Sequence, residues 1–479
     1  MLKKYFSVFL IIYLIAAMGF LTSPWANAAT DTAEEQKLIE EEARRELKDI
    51  KIAPPTKGEV WSLRAGGWFT SLFRDYTDLD NDKNGKDLTS WILTEDLRLW
   101  SNLSYQKKYT LYLRIKHTYT HRDLSSLSTS YRSDYDGPNL DMGYLAITQP
   151  DWQIPIDLTL GKQYLFVGRG IAYSDVNYGA KYKTRLGKNF YLKTFASMAD
   201  ENSQNLDLSI PNYNKTNNRI FGAVEVAYSG LKNDILYGFV LIQRDKNARF
   251  PPETPTQSYR YNSQYYGLGL QSLRPQSRLS YWLEVIKEQG RSNTDTDAVD
   301  PEEKNIDAWA GDWGLSYRTK LPLRPTLEFE YAYGSGDKDR SSVTDTRSGG
   351  NRYGQDTNFL YFGSFFAGYA LAPRLSNMHI YKVDCSLRPL PKLKFTKQVT
   401  AGFKYFLYRK DKKAGGVYDI EATESDLDIG REANAYLYWP IGKHITWSNR
   451  YGIFFPGNAY PSPANNATRY FYTKLTLTF

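Results

Sequence analysis

After Pro55 the chain alternates in side-chain character with a period of two, and no segment keeps a helical period for long. Tyr109, Leu111, Leu113, Ile115, His117 and Tyr119 share one row, while Thr110, Tyr112, Arg114, Lys116, Thr118 and Thr120 share the other. Leu97, Leu99, Leu103 and Tyr105 likewise oppose Asp96, Arg98, Trp100 and Asn102, and Phe471, Leu475, Leu477 and Phe479 oppose Tyr472, Lys474, Thr476 and Thr478. Such rows persist over about ten or more residues, the length a tilted strand needs to cross a bilayer. A soluble sandwich also alternates, but rarely repeats Arg and Lys in mid-strand. The pattern therefore predicts an all-β fold, a transmembrane antiparallel barrel with one row in lipid and the other facing a polar lumen.

Composition agrees with this. A charged fraction of 24% excludes a polytopic helical membrane protein, and the 39 Tyr, 23 Phe and 11 Trp fit interfacial girdles. The single cysteine, Cys385, excludes a disulfide framework, and it falls on an apolar row with Tyr381, Val383 and Leu387. Four histidines leave little material for a metalloenzyme.

Residues 1–28 read as a secretory signal peptide: Lys3 and Lys4, an apolar core from Tyr5 to Leu21, then Ala26-Asn27-Ala28 for cleavage. Residues 29–55 carry eight acidic and five basic residues up to Lys51 and end at Pro54-Pro55. They predict a short acidic periplasmic helix, or a frayed solvated tail. Residues 56–479 form the barrel, and residues 53–479 carry a net charge of +9.

Short connections near 106–108, 149–154, 186–188, 231–233, 274–277, 319–325, 389–392 and 440–444 alternate with longer polar ones. A literal count finds nineteen strands, because Asn358 to Tyr369 also looks like one. Both termini of a barrel of this kind lie in the periplasm, which requires an even number. Asn358–Ala372 is therefore expected inside the seventh long loop as a constriction or gate, leaving eighteen strands, eight turns and nine loops. Eighteen strands normally leave an aqueous channel.

If the apolar row faces lipid, parity assigns the lumen. Basic candidates for the channel lining are Arg98, Arg114, Lys116, Lys181, Lys183, Lys382, Lys404 and Arg450; acidic ones include Glu225, Glu284, Glu328 and Glu330. Opposed charged walls set ion selectivity, and Trp100, Tyr112, Tyr436 and Tyr438 offer faces for sugar rings. Asp80, Asp82 and Asn84 have the spacing of the opening of a calcium loop, but Trp91 stands where a bidentate Glu is required, so an Asx-rich turn is the plainer reading. No nucleophile elbow, phosphate-binding glycine loop or His-Glu-x-x-His stretch is present, and the basic residues do not gather as a nucleic-acid patch.

Several stretches, in order, are similar to the alginate export porin family: Leu160-Gly161-Lys162-Gln163, Phe166-Val167-Gly168-Arg169-Gly170, Tyr173-Ser174-Asp175, Tyr331 to Asp337 and Pro373-Arg374-Leu375-Ser376-Asn377. The resemblance implies a monomeric eighteen-stranded barrel exporting an anionic uronate polysaccharide through a basic constriction, and adds Lys162 and Arg169 to the channel-lining set. Where the family has Gly-Arg-Gln, this chain has Gly161-Lys162-Gln163, a point charge without the planar fork. Strict parity sets Lys162 on the outer row unless Gly161 carries a bulge.

The expected function is passive passage of an anionic, saccharide-containing solute or exopolysaccharide across the outer membrane of a Gram-negative bacterium. Transient pairing of carboxylates with Arg98, Arg114, Lys116 and Arg450 would carry it. The alternatives are an uptake porin for small nutrients and an adhesive barrel that binds through its loops. Expected partners are the anionic solute, outer-membrane lipid and lipopolysaccharide, and the assembly machinery through Phe479. No cofactor is expected beyond calcium at residues 80–84.

Overall fold

The computed structural model describes residues 60–78, 81, 89–123, 132–149, 155–199, 219–246, 261–272, 278–293, 303–340, 343, 354–391 and 396–479. The expected signal peptide, the acidic helix and the calcium-loop residues Asp80, Asp82 and Asn84 lie outside them. The first nine strands are β1 (Trp61–Thr77), β2 (Thr89–Tyr105), β3 (Tyr109–Asp123), β4 (Arg132–Gln149), β5 (Ile156–Phe166), β6 (Ser174–Leu186), β7 (Phe190–Met198), β8 (Arg219–Leu231) and β9 (Asp234–Asp245). The second nine are β10 (Asn262–Ser272), β11 (Leu279–Asn293), β12 (Glu303–Arg318), β13 (Thr326–Gly334), β14 (Met378–Leu387), β15 (Thr400–Lys410), β16 (Asp428–Ile441), β17 (Ile445–Pro456) and β18 (Thr468–Thr478).

Every strand pairs antiparallel with its successor, and β18 pairs back to β1. A closed sheet leaves no unpaired edge to desolvate, which is the condition for crossing a bilayer with strands. At the seam the last residue extends the ladder: Phe479 N–H donates to the Gly67 carbonyl (3.0 Å) and Gly67 N–H to the Phe479 carbonyl (2.9 Å). Residues 358–372 form no wall strand and lie in loop 7 (335–377), as the parity argument requires.

The period of two maps onto the two faces of the wall. Leu97, Leu111, Leu113, Val240, Leu283, Trp313, Phe403 and Leu475 are exposed outward, and Cys385 shares that surface, while Arg98, Tyr112, Arg114, Tyr237, Glu284 and Tyr408 are buried inside. Several inner rings lie flat over glycines of the next strand: a Cβ at Gly267, Gly269 or Gly314 would collide with Phe239, Tyr237 or Trp282. Flat rings keep bulky side chains along the wall instead of across the lumen.

The extracellular half of the lumen is packed. Leu165, Val167 and Tyr173 join Leu360, Tyr361, Phe362 and Leu375 of loop 7, together with Phe195, Phe221, Phe239, Tyr265, Ile286, Phe406 and Phe454 of the wall, in one buried cluster. A barrel of this girth would otherwise hold a wide water column. The packed interior narrows it.

Candidate functional site: the lumenal constriction

The constriction begins where two strands leave the wall. β4 stops pairing with β5 at Gly143–Lys162, and β6 pairs with β7 only below Tyr178–Met198, yet β5 and β6 stay paired to Phe166–Ser174. Residues 163–177 therefore part from both neighbours and turn into the lumen as one hairpin. Gly161 sits at the departure point with φ +127°, where a Cβ would collide with the Gly143 carbonyl oxygen. Inside, the Tyr173 ring packs on Phe195 (5.4 Å) and Phe221 (4.5 Å), and its hydroxyl bonds Ser197 (3.1 Å). At the tip, Gly168 N–H donates to Glu225 and Arg169 N–H to Glu284, each at 2.8 Å. The Arg169 guanidinium pairs with Asp312 (2.6 Å) and lies over Trp282 (4.7 Å).

Loop 7 rests on that tip. Phe362 N–H donates to the Ala172 carbonyl and Ser364 N–H to the Gly170 carbonyl, both at 3.0 Å. Two wall carboxylates hold the loop by its backbone. Glu288 accepts Leu360 N–H (2.9 Å) and the hydroxyls of Tyr261 and Tyr265. Glu432 accepts Tyr369, Ala370 and Leu371 N–H at 2.6–3.0 Å, and the Tyr408 hydroxyl at 3.1 Å. The motif that ends the loop closes it: Arg374 donates to the Tyr361 carbonyl (2.7 Å) and stacks on that ring (4.5 Å), and Asn377 donates to the carbonyls of Lys412, Gly415 and Gly416. The stretches that carried the family resemblance are thus the inward hairpin and the staples of loop 7.

Most lumenal cations named from the sequence are already engaged. Arg98 pairs with Asp96 (3.0 Å) and Arg114 with Asp141 (2.5 Å), and both lie over Trp68 at 5.7 and 5.4 Å. Lys382 binds Glu328 and Glu330, Lys404 binds Asp384 (2.5 Å), and Arg450 lies over Tyr472 (4.4 Å) and Tyr369 (5.3 Å). Lys162 is not in the lumen. Its register with Gly143 and Tyr178 is continuous, without a bulge, and its ammonium lies over the exposed Tyr178 ring (5.4 Å). Glu225 and Glu284, read from the sequence as lining charges, each turn one oxygen to the hairpin tip; the same oxygen of Glu225 pairs with Lys193 (2.8 Å) and that of Glu284 accepts the Tyr237 hydroxyl (2.7 Å).

Lys116, Lys181 and Lys183 differ. Each stands on a lumenal row, and among the described residues none closes an ion pair. Below the hairpin, a cavity of about 540 Å³ is lined by Asp157, Lys183, Arg185, Lys193 and Glu225, with Phe166 and Gly168 at its roof. A second of about 540 Å³, lined by Met142, Tyr144, Thr159, Gln163 and Lys181, shares Phe166. Beside them Trp100, Tyr112 and Tyr144 form a run of stacked rings at 6.5 and 5.1 Å.

Asp141 escaped the sequence reading because parity sets it on the lipid row with Gly143 and Leu145. The β3–β4 register skips one residue there, from Met142 opposite Arg114 to Leu140 opposite Ile115, and the bulge turns the carboxylate inward. An acid on an apolar row was the one available signal.

The sequence model of the alginate export family matches residues 90–473. No curated protein matches the chain. Among solved structures, Pseudomonas aeruginosa OccK8 (OprE) aligns over 87% of this chain and 98% of its own, at 11% identity and a TM-score of 0.51. Acinetobacter baumannii OccAB1 aligns over 89% and 98%, at 11% identity and a TM-score of 0.50. At such identities the likeness is one of fold alone. The family match instead covers the hairpin, loop 7 and nearly all of the wall, so this chain belongs to the alginate export family and is an outer-membrane channel, not an enzyme.

Proposed function

We propose that this barrel passes an anionic, saccharide-containing solute or polymer by diffusion past a narrowed, positively biased lumen. The observation that carries the reading is the asymmetry between accessible charges. Lys116, Lys181 and Lys183 close no ion pair among the described residues, while Glu225 holds the Gly168 N–H and the Lys193 ammonium, and Glu284, Glu288 and Glu432 accept loop N–H groups and tyrosine hydroxyls. A carboxylate passing the cavities below the hairpin meets ammonium groups, with the rings of Tyr112, Tyr144 and Trp100 beside them for apolar sugar faces. Weak contacts in series admit a charged chain without trapping it. The bound pairs at Arg98 and Arg114 serve the wall instead, since Asp96 and Asp141 neutralise them.

The test is reversal potential in a planar bilayer under a salt gradient. A charge about 8 Å from a permeating ion contributes about 0.5 kcal/mol in water before screening. Anion preference is expected for the natural chain, and Lys181→Glu with Lys183→Glu is expected to reverse it. Marked cation preference in the natural chain would sink the proposal.

A further inference from the structure

The outer surface of the barrel carries its own charge asymmetry, unrelated to the lumen. On the β9–β12 side, outward cations near the extracellular rim are satisfied. Lys287 pairs with Asp307 and lies over Trp309 (4.3 Å), Arg291 pairs with Glu303 (3.2 Å), and Arg244 donates to the Gln243 carbonyl (2.8 Å). On the β15–β18 side they are not. Arg409, Arg431 and Arg469 are exposed and point outward, and among the described residues none makes an ion pair or hydrogen bond.

Their placement is regular. Each is the first charged outward position beyond an apolar row: Phe403, Tyr405 and Leu407 below Arg409; Ala433, Ala435 and Leu437 below Arg431; Phe471, Leu475 and Leu477 below Arg469. In register, Arg431 stands opposite Leu407 on one side and Phe455 on the other, and Arg469 opposite Ile453. With strands about 4.8 Å apart and a two-residue offset in register at each of the two steps, the three span roughly 20 Å along the boundary of the apolar belt. The nearest acids on this face are Asp428, opposite Arg409, and Asp75, one outward position below the Thr77 that pairs with Arg469. Neither closes a pair with these arginines.

We infer that Arg409, Arg431 and Arg469 form a binding site for the phosphate groups of an outer-leaflet glycolipid, of the bisphosphorylated glucosamine type. A planar guanidinium at headgroup depth presents paired donors to a phosphate, and three of them on one face match a headgroup bearing two. The apolar rows directly beneath supply the surface for its acyl chains. The site is independent of the proposed solute, so either idea can fail alone.

The test uses the full chain in detergent, with lipid A retention read by native mass spectrometry. Variants are first checked for the heat-modifiable gel mobility of a folded barrel. Combined R409Q, R431Q and R469Q should lower retention about tenfold or more, a difference of about 1.4 kcal/mol. R244Q with R291Q should leave it unchanged, and lysine at the three positions should restore part of it. Dephosphorylated lipid A should bind the natural chain as weakly as lipid A binds the triple variant. Equal loss in both sets of variants, or none in the triple variant, overturns the site. Full displacement of lipid A by equimolar inorganic phosphate overturns the lipid as its ligand.

Discussion

One carboxylate, Glu432, holds three consecutive N–H groups of loop 7 and a tyrosine hydroxyl, so a single side chain decides whether that segment stays against the wall. Glu432→Ala would leave those donors buried without an acceptor, at about 1–3 kcal/mol each. Relief comes most readily by releasing the loop. Single-channel conductance is expected to rise and become noisier, and an unchanged trace would show that loop 7 is held by packing alone. A second residue, Asp411, works at the rim, beyond β15. It accepts Gly336 N–H (3.0 Å) and lies beside His379 Nε2 (3.6 Å) and Lys412 Nζ (3.3 Å). Burial pushes its carboxyl up, but these partners outweigh burial and hold it at about 2. The folded value lies below the ordinary value of about 3.9. Its contribution is therefore complete above about pH 4 and is lost as pH falls through about 2. Hydrogen-exchange protection at Gly336 should stay level from neutral pH to about 4 and then decline, and Asp411→Asn should abolish that decline.

At the scale of elements, the inward hairpin of residues 163–177 determines the shape of the lumen. Its departure needs a backbone that L-residues rarely adopt, at Gly161, beside the Gly143 carbonyl. Gly161→Val is expected to cost about 1–3 kcal/mol in backbone strain alone, with the clash in addition. The midpoint of urea unfolding in liposomes should fall accordingly. A midpoint equal to that of the natural chain would mean that the strands can part elsewhere. Loop 7 depends on this hairpin, because Phe362 and Ser364 bond the carbonyls of Ala172 and Gly170. Weakening the hairpin should therefore widen the channel as well as destabilise the wall. The glycine-rich stretch from Leu160 to Gly170 was visible in the sequence as a motif. Its role as a hinge was not, because strand parity says nothing about where two neighbours stop pairing.

At the largest scale, the strands of the described residues form one closed sheet, with Gly67 and Phe479 bonded at its seam. Deleting Phe479 removes two backbone hydrogen bonds from the seam, at about 0.5–1.5 kcal/mol each. The barrel should still close but unfold at lower denaturant, as followed by gel mobility; unaltered unfolding would place closure entirely in the other β1–β18 pairs. Strand number, the burial of residues 358–372 in loop 7 and the inward row of Arg98, Arg114, Lys382 and Lys404 were all legible beforehand. A membrane wall imposes one strict rule, apolar out and polar in, and that rule is local. Which lumenal charges remain available was not legible. Arg114 found Asp141 through a bulge, Glu284 turned to the Arg169 backbone, and Lys162 stayed on the outer row. By itself, then, the amino-acid order determined the barrel, its parity and the loop that narrows it, because period and turn length act along the chain. Only the tertiary structure decided which charges are spent on holding the constriction and which still face the passage, because those pairings join residues up to 143 positions apart and depend on register and on a hairpin leaving the wall.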